Sequence, residues 1–297
     1  MLYYVKSGDT LPKISMKFNT SMESIKNANV ICNPFLLYPG QVLIIPENGM
    51  NLPKSQGQGP YYIVQPGDSL WCLSREFNMP IRTIAYINRL ANPGILFAGS
   101  ELLMGPFMAN PNELKELWEA TGNMYCNELS EEEIHDIYYH GTFTWEALGY
   151  RAIPYLMELI KHPCDIVTFY SIVSLGRIVP TNPNIITMLQ DLSNDPNEAI
   201  ANVAQTALKR IDYAYKFNKR VHVTLQETRA YNQPSLDSES ILLPASSEVM
   251  SLNWAIPSPT GEKNEAGDIL LYDRVYIFNT GTEEFIPRTK LNEINMI

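Results

Sequence analysis

One stretch of sequence occurs twice in the first third of this 297-residue chain. The two copies, residues 3–46 and 62–105, align without a gap at an offset of 59 positions, and about a third of the paired residues are identical. An ungapped match of this length indicates two copies of one folded module. The segment between them, residues 48–60, is polar and rich in Gly, Pro and Gln, which is the composition of a linker.

Each copy has the pattern strand, helix, helix, strand. In the first copy, a short extended run and a Gly-Asp turn signal precede Thr10, a candidate N-cap for a helix that reaches about Phe18. Ser21 opens a second helix, and an apolar run closes the copy as a strand. We therefore expect two small βααβ modules, residues 1–47 and 61–106, in each of which the two strands pair antiparallel.

Both modules resemble LysM domains, a family that binds glycans containing N-acetylglucosamine, chiefly peptidoglycan and chitin. The resemblance rests on motifs in the same order in both copies: Gly8-Asp9-Thr10-Leu11 with Asn33-Pro34 and Pro39-Gly40, and Gly67-Asp68-Ser69-Leu70 with Asn92-Pro93 and Gly99. It implies a groove between the loop after the first strand and the loop before the last. There, main-chain groups beside a glycine hydrogen-bond the acetamido group, and an apolar loop takes the acetyl methyl and the sugar face. The groove residues implied in this way are Gly8, Asp9, Thr10, Asn33, Pro34, Leu36 and Leu37 in the first module and Gly67, Asp68, Ser69, Asn92, Pro93, Ile95 and Leu96 in the second.

The next region, residues 107–217, has helical periodicity. A short helix over Asn112–Ala120 is expected to end at Gly122, and Ser130 with Glu133 forms a capping box that opens the next helix. A second, weaker repeat at an offset of 33 follows, and its paired identities include Leu156 with Leu189. This pattern resembles HEAT-like helical repeats, which usually present a surface to another protein. The alternative is a helical bundle of its own kind that only spaces the domains.

The last region, residues 218–297, changes to alternating apolar and polar residues over 221–225 and 269–278, which predicts strands. Residues 233–247 are rich in Ser and Pro and are expected to form a loop. The whole chain is thus predicted to be an α+β multidomain protein: two LysM-like modules, an all-α repeat domain and a small β-rich C-terminal domain.

The charge is divided unevenly along the chain. Residues 1–105 carry eight Lys and Arg against six Asp and Glu, so the net charge of −10 comes from the residues after them. A near-neutral front suits an uncharged polysaccharide, whereas the acidic helical region suits a basic or polar protein partner. The same balance argues against a nucleic acid or an anionic membrane surface as the ligand.

The sequence contains no recognisable catalytic set. His140-Gly141-Thr142 has a superficial likeness to a transpeptidase motif but lacks the cysteine motif that would accompany it, and we interpret it as a helix break. Cys126 with His140 or His162 is formally a nucleophile and base, yet all three lie in helical sequence. No histidine set has metal-ligand spacing, so neither a metal site nor a cofactor is expected. The four cysteines lack CxxC spacing and are expected to be free thiols in a reducing compartment.

The leading hypothesis is a non-catalytic adaptor. Its tandem LysM modules bind peptidoglycan or a chitin-type oligosaccharide while the helical and β regions engage a protein. The alternative is a structural or assembly protein, similar to phage-tail or baseplate components, whose LysM modules bind protein; a cell-wall hydrolase ranks below both. Neither a signal peptide nor a transmembrane run is visible, so synthesis in the cytoplasm is expected. The arrangement resembles spore-envelope assembly proteins of Gram-positive bacteria, which implies incorporation into the spore cortex or coat, or into the cell wall.

Overall fold

The computed structural model describes residues 1–47, 50, 52, 61–105, 110–126, 128–217 and 220–293. The predicted linker over 48–60 therefore lies outside the described residues, except for Met50 and Leu52. The chain divides into two compact units. The first joins Met1–Met104 with His222–Asn292, and the second contains Gly105–Val221.

The first module begins its helices at the predicted caps. The Thr10 hydroxyl accepts a hydrogen bond from the Lys13 amide at 3.4 Å, and the Ser21 hydroxyl accepts one from the Ser24 amide at 2.9 Å. Each cap satisfies a backbone donor that has no partner within the helix. The predicted βααβ order and the antiparallel pairing of its strands are confirmed. The elements are β1 (Leu2–Tyr4), α1 (Leu11–Lys17), α2 (Met22–Ala28) and β2 (Val42–Ile44).

The second module repeats this order with the same pairing of its two strands. Its elements are β3 (Tyr61–Ile63), α3 (Leu70–Glu76), α4 (Ile81–Ile87) and β4 (Glu101–Leu103). Both modules have an asparagine at the end of the second helix, and its hydrogen bonds explain why this residue is the same in the two copies. The Asn29 amide donates to the carbonyls of Ile25 and Ile44 and accepts from the Ile44 amide, and Asn88 makes the same three bonds. This side chain therefore ties the second helix to the closing strand.

The second unit is helical. The capping box between Ser130 and Glu133 is confirmed in both directions. Two helical hairpins, α8 with α9 and α10 with α11, follow the predicted offset of 33, and α9 packs against α11. A HEAT-like classification stays a prediction. The helices are α5 (Pro111–Tyr125), α6 (Glu131–Ile134), a π-helix (His135–Tyr139), α7 (His140–Leu148), a 3-10 turn (Gly149–Ala152), α8 (Ile153–Leu159), α9 (Asp165–Ile178), α10 (Pro183–Leu192) and α11 (Glu198–Phe217).

Two glycines that were predicted to interrupt helices lie inside them. α5 continues through Gly122, where a Cβ would stand 2.5 Å from Cγ2 of Val167 on α9. The predicted break at His140-Gly141 is also wrong, because α7 begins at His140 and a Cβ added at Gly141 would stand 2.8 Å from the indole ring of the buried Trp118. Both glycines are there because neighbouring side chains pack onto the helix backbone.

A seven-stranded sheet forms the C-terminal part of the first unit, as the prediction of a β-rich region required. One prediction within it is wrong: residues 240–243, expected to be loop, form β7 and pair with β6. The strand order is β11-β5-β8-β9-β10-β6-β7. The strands are β5 (Val221–Thr224), β6 (Thr228–Tyr231), β7 (Ser240–Leu243), β8 (Glu248–Pro257), β9 (Leu271–Ile277), β10 (Thr282–Pro287) and β11 (Leu291–Glu293).

The sheet shares a hydrophobic core with the first module. Leu2, Ala28 and Ile44 of that module belong to the same buried cluster as Tyr272 and Phe285 of the sheet. The Glu47 amide also donates to the Pro259 carbonyl at 3.1 Å. The first module therefore packs against the sheet and is not an independent domain joined only by a linker.

None of the described helices is both long enough and apolar enough to cross a lipid bilayer.

Candidate functional site

The first loop of the first module presents an open glycine. Asp9 closes the turn, because its carboxylate accepts from the Lys6 amide at 2.8 Å and from the Tyr3 hydroxyl at 2.7 Å. Gly8 stands at this turn with φ of +82°, a conformation that favours glycine. A Cβ added there would meet no described atom within 4 Å. Gly8 is exposed, its carbonyl accepts from Nζ of Lys13 at 2.9 Å, and Asp9 holds the turn in place.

The second loop of this module supplies apolar surface. The Asn33 side chain accepts from the Phe35 amide at 2.9 Å, which shapes the turn. Phe35 is 94% exposed and Leu36 is 51% exposed, whereas Leu37 is buried. Tyr4 at the end of β1 pairs with Val42 at the start of β2, so the loop after β1 and the loop before β2 lie at the same end of the module. An exposed main-chain turn therefore lies at the same end of the module as exposed apolar side chains, and the groove between them stays a prediction.

The second module differs at its first loop. Tyr38 of the first module lies over Gly67, the equivalent of Gly8, and a Cβ at Gly67 would stand 2.2 Å from Cδ2 of Tyr38. Cys32 is bonded to Cys72 on α3, and its sulfur lies 3.2 Å from Oδ1 of Asp68. The loop of the first module that carries its own groove residues thus packs against one side of Gly67, whose remaining surface is exposed.

The two equivalent aspartates report this difference as opposite pKa shifts. Hydrogen bonds from the Lys6 amide and the Tyr3 hydroxyl hold the pKa of Asp9 below its ordinary value. Asp68 accepts the same two bonds, from the Gln65 amide and the Tyr62 hydroxyl, yet burial raises its pKa to about 6. Loss of water around a carboxylate disfavours its charged form. The contact with the first module therefore gives Asp68 a higher pKa than Asp9, although both aspartates close the same turn of the repeat.

The expectation of free thiols is wrong. The structure joins Cys32 to Cys72 and Cys126 to Cys164, with Cα–Cα distances of 5.4 and 5.7 Å. The first bond connects the two modules, and the second connects the end of α5 to the turn before α9. Cys32 and Cys72 occupy non-equivalent places in the repeat because they pair across an interface between copies, which the repeat itself does not reveal. Cys126 has no free thiol and cannot act as a nucleophile.

The remaining groove residues of the second module lie on its other loop. The Asn92 side chain accepts from the Gly94 amide at 2.9 Å, as Asn33 does in the first module. Ile95 is 51% exposed, the same as Leu36, and Leu96 is half-buried. Ser69 caps α3 through its hydroxyl, which gives this predicted groove residue a structural role. Pro34 is half-buried and Pro93 exposed, each beside its loop's asparagine.

Three exposed aromatic residues were missed by the sequence analysis. Phe35 and Phe97 are largely exposed on the loops before the closing strands, and Tyr38 makes the contact with Gly67. Phe35 was overlooked because glycine stands at its place in the second copy. Tyr38 and Phe97 occupy the same position of the repeat, and an aromatic residue in both copies was the available signal.

Comparison with known proteins agrees with the modules. The LysM domain family matches residues 3–46 and 62–105. These two segments are LysM domains, and LysM domains support binding to peptidoglycan and related N-acetylglucosamine glycans.

Similar proteins share only this part of the chain. An autolysin of Enterococcus faecalis is 34% identical over 107 residues, which is 35% of this chain and 14% of that protein. The N-acetylmuramoyl-L-alanine amidase sle1 of Staphylococcus aureus is 32% identical over 99 residues, 30% of this chain and 29% of that protein. The chain thus spans less than a third of the length of these relatives.

Among solved structures, the spore cortex-lytic enzymes SleL of Bacillus cereus and Bacillus megaterium align with 96% of this chain and with 88% and 87% of theirs. Their identities are 13% and 15%, and the TM-scores are 0.20 and 0.18. At such TM-scores the alignment carries no weight for fold or function.

Proposed function

We propose that this chain is a non-catalytic glycan-binding protein whose first LysM domain provides the open binding groove. The observation that carries the proposal is the contrast between Gly8, which has free space beside it, and Gly67, which lies under Tyr38. A ligand acetamido group needs close approach to the main chain at this glycine. In the second domain the Tyr38 ring of the first occupies one side of this glycine.

The ligand is a glycan containing N-acetylglucosamine, with peptidoglycan as the first candidate. Supporting this choice are the LysM match and the names of the relatives that share the segment, an autolysin and an N-acetylmuramoyl-L-alanine amidase. The groove offers main-chain polar groups and the apolar surface of Phe35 and Leu36. Such a site suits an uncharged acetylated sugar better than an ionic ligand.

The absence of catalysis is part of the proposal. Cys126, the candidate thiol nucleophile of the helical region, is joined to Cys164 in a disulfide. The relatives are named as enzymes, but their similarity to this chain is confined to a segment about the size of the two LysM domains. Nothing in that similarity transfers a catalytic domain to the rest of the chain.

An envelope location fits the two disulfides. Such bonds persist in oxidising surroundings and are rare in the reducing cytoplasm. We therefore place the working protein in the bacterial envelope, with the spore cortex or coat or the cell wall as its setting.

The helical unit is proposed to engage a protein partner with a basic surface. Residues 107–217 hold fifteen Asp and Glu against seven Lys and Arg, and two of those seven, Arg177 and Arg210, are buried against Glu146. The solvent-facing charge is thus more acidic than the composition alone implies. The assembly-protein hypothesis, in which the LysM domains bind protein, has no separate observation in its favour.

Co-sedimentation with purified peptidoglycan tests the proposal. The full chain is expected to pellet with the sacculi, and Leu36→Ala is expected to weaken this by about fivefold to tenfold because it removes apolar contact. Ile95→Ala is the matched control, since Ile95 has the same place and exposure in the covered domain. Absence of the chain from the pellet, or equal loss in both variants, would overturn the proposal.

A further inference from the structure

Three side chains with metal-binding atoms converge on the helical unit. The nearest atoms of His135, Asp136 and His140 all lie within 4.8 Å of one another. The Asp136 Oδ1 atom is 3.6 Å from Nδ1 of His135 and 3.9 Å from Nδ1 of His140. Neither distance is short enough for a hydrogen bond. The three groups therefore face one another without being joined.

The backbone explains why sequence reasoning passed over this set. His135 and His140 are five residues apart, a spacing that an α-helix places on different faces. Here the chain forms a π-helix over His135–Tyr139, in which the His140 amide donates to the His135 carbonyl. A hydrogen bond across five residues brings the two histidines onto one face, and π-turns occur frequently at functional sites. The two rings lie with their centroids 4.5 Å apart.

We propose that His135, Asp136 and His140 form a binding site for a divalent transition-metal ion, with Zn²⁺ as the best match. Two imidazoles and one carboxylate form a donor set that suits Zn²⁺ better than Mg²⁺ or Ca²⁺, which prefer oxygen ligands. Tetrahedral Zn²⁺ at its usual bond lengths holds its ligand atoms about 3.3 Å apart. The separations of 3.6 and 3.9 Å from Asp136 lie slightly above this value, and rotation of the exposed Asp136 and His140 side chains can shorten them.

The surroundings favour a cation. The three residues follow the acidic run Glu131–Glu133, and the region as a whole carries a strong negative charge. The ring of Tyr139 stacks on His135 at 4.6 Å, which restricts the orientation of that imidazole. With three protein ligands, a tetrahedral ion keeps one position open, so the site can take water or a donor group from a bound partner.

Calorimetric titration of the untagged, disulfide-bonded full chain with Zn²⁺ tests the site. All four cysteines are in disulfides, so under non-reducing conditions no thiolate competes for the metal. One ion per chain is expected to bind, and His140→Ala and Asp136→Asn are each expected to weaken binding at least about tenfold. His162→Ala is the control, because His162 lies in the same unit outside the cluster, beside Asn123.

Two further measurements give the proposal sharp limits. Mg²⁺ in large excess should not displace the ion, because Mg²⁺ prefers oxygen ligands. The three side chains are exposed, so the variants should keep the native circular dichroism spectrum. No saturable binding at millimolar Zn²⁺, or binding that His140→Ala leaves unchanged, overturns the assignment. Equal weakening by His162→Ala overturns it as well.

Discussion

Tyr38 of the first LysM domain lies over Gly67 of the second, so that a Cβ added at Gly67 would stand 2.2 Å from Cδ2 of the tyrosine ring. The same position in the first domain, Gly8, has free space. Two copies of one module have therefore become different parts: the loop that borders one groove is also the cover of the other. Function does not follow from the repeat alone.

A matched pair of substitutions tests this contact. Both glycines have positive φ, at +82° and +91°, so alanine costs backbone strain of about 1 kcal/mol at either position. Gly67→Ala must in addition displace the Tyr38 ring, which adds roughly 1–3 kcal/mol. Chemical denaturation should show the larger loss for Gly67→Ala. Adding Tyr38→Ala should remove the difference between the two variants, and a difference that persists would refute the contact.

The two aspartates should respond to pH in opposite directions. The pKa of Asp68 is raised to about 6 by burial, so its contribution to stability is complete below its unfolded pKa and is lost as pH rises through 6. Asp68→Asn, which keeps a neutral acceptor, should therefore raise the stability at pH 8 by about 1–2 kcal/mol and have little effect at pH 4.

Asp9→Asn is the control for this titration. The pKa of Asp9 is lowered, so its ionised carboxylate stabilises the fold at neutral pH. This stabilisation is lost as pH falls below the ordinary pKa of an aspartate. This substitution should lower the melting temperature at pH 8 and lose its effect in acid. Melting temperatures of both variants between pH 2 and 8 measure the two signs, and equal signs would contradict the burial of Asp68.

The disulfide between the domains should control access to the second groove. Cys32→Ser with Cys72→Ser opens a loop of 40 residues and is expected to cost about 2–4 kcal/mol. It also releases the cover over Gly67, so a second glycan-binding event should appear in a titration. Cys126→Ser with Cys164→Ser is the control, since it opens a loop of 38 residues in the other unit and should leave the number of glycan sites unchanged.

At Gly141 we expect alanine to destabilise the protein, although alanine has the higher helix propensity. Gly141→Ala should gain about 1 kcal/mol from propensity but lose more by overlapping the Trp118 ring. A net loss of about 1–2 kcal/mol is expected in urea denaturation. Asn202→Ala on the exposed face of α11 should be neutral or slightly stabilising, and a comparable gain in Gly141→Ala would show that the indole does not constrain the site.

The starts of several helices could be predicted from the sequence, because a single capping residue signals each of them. Hydroxyl side chains that can cap a helix stand at Thr10, Ser21 and Ser130, and in the structure each of them is an N-cap. Because the pattern occurs twice, each helix and strand of one module is predicted independently by the equivalent segment of the other. The same motifs predict the groove loops, although one predicted groove residue, Leu37, lies in the core.

What the sequence could not supply depends on contacts between distant segments. The pairing of Cys32 with Cys72 and the cover over Gly67 arise where one module meets the other, and no local pattern encodes that meeting. The sequence predicts helix breaks at Gly122 and Gly141, because the side chains that pack on these glycines come from segments distant in sequence. His135 and His140 came together only through a π-turn, which has no recognised sequence signal.

Titration of the disulfide-bonded full chain with tetra-N-acetylchitotetraose tests the central claim most directly. The account predicts a single binding site per chain, weakened by Leu36→Ala and insensitive to Ile95→Ala. Two equivalent sites per chain, or no binding at millimolar oligosaccharide, would contradict it.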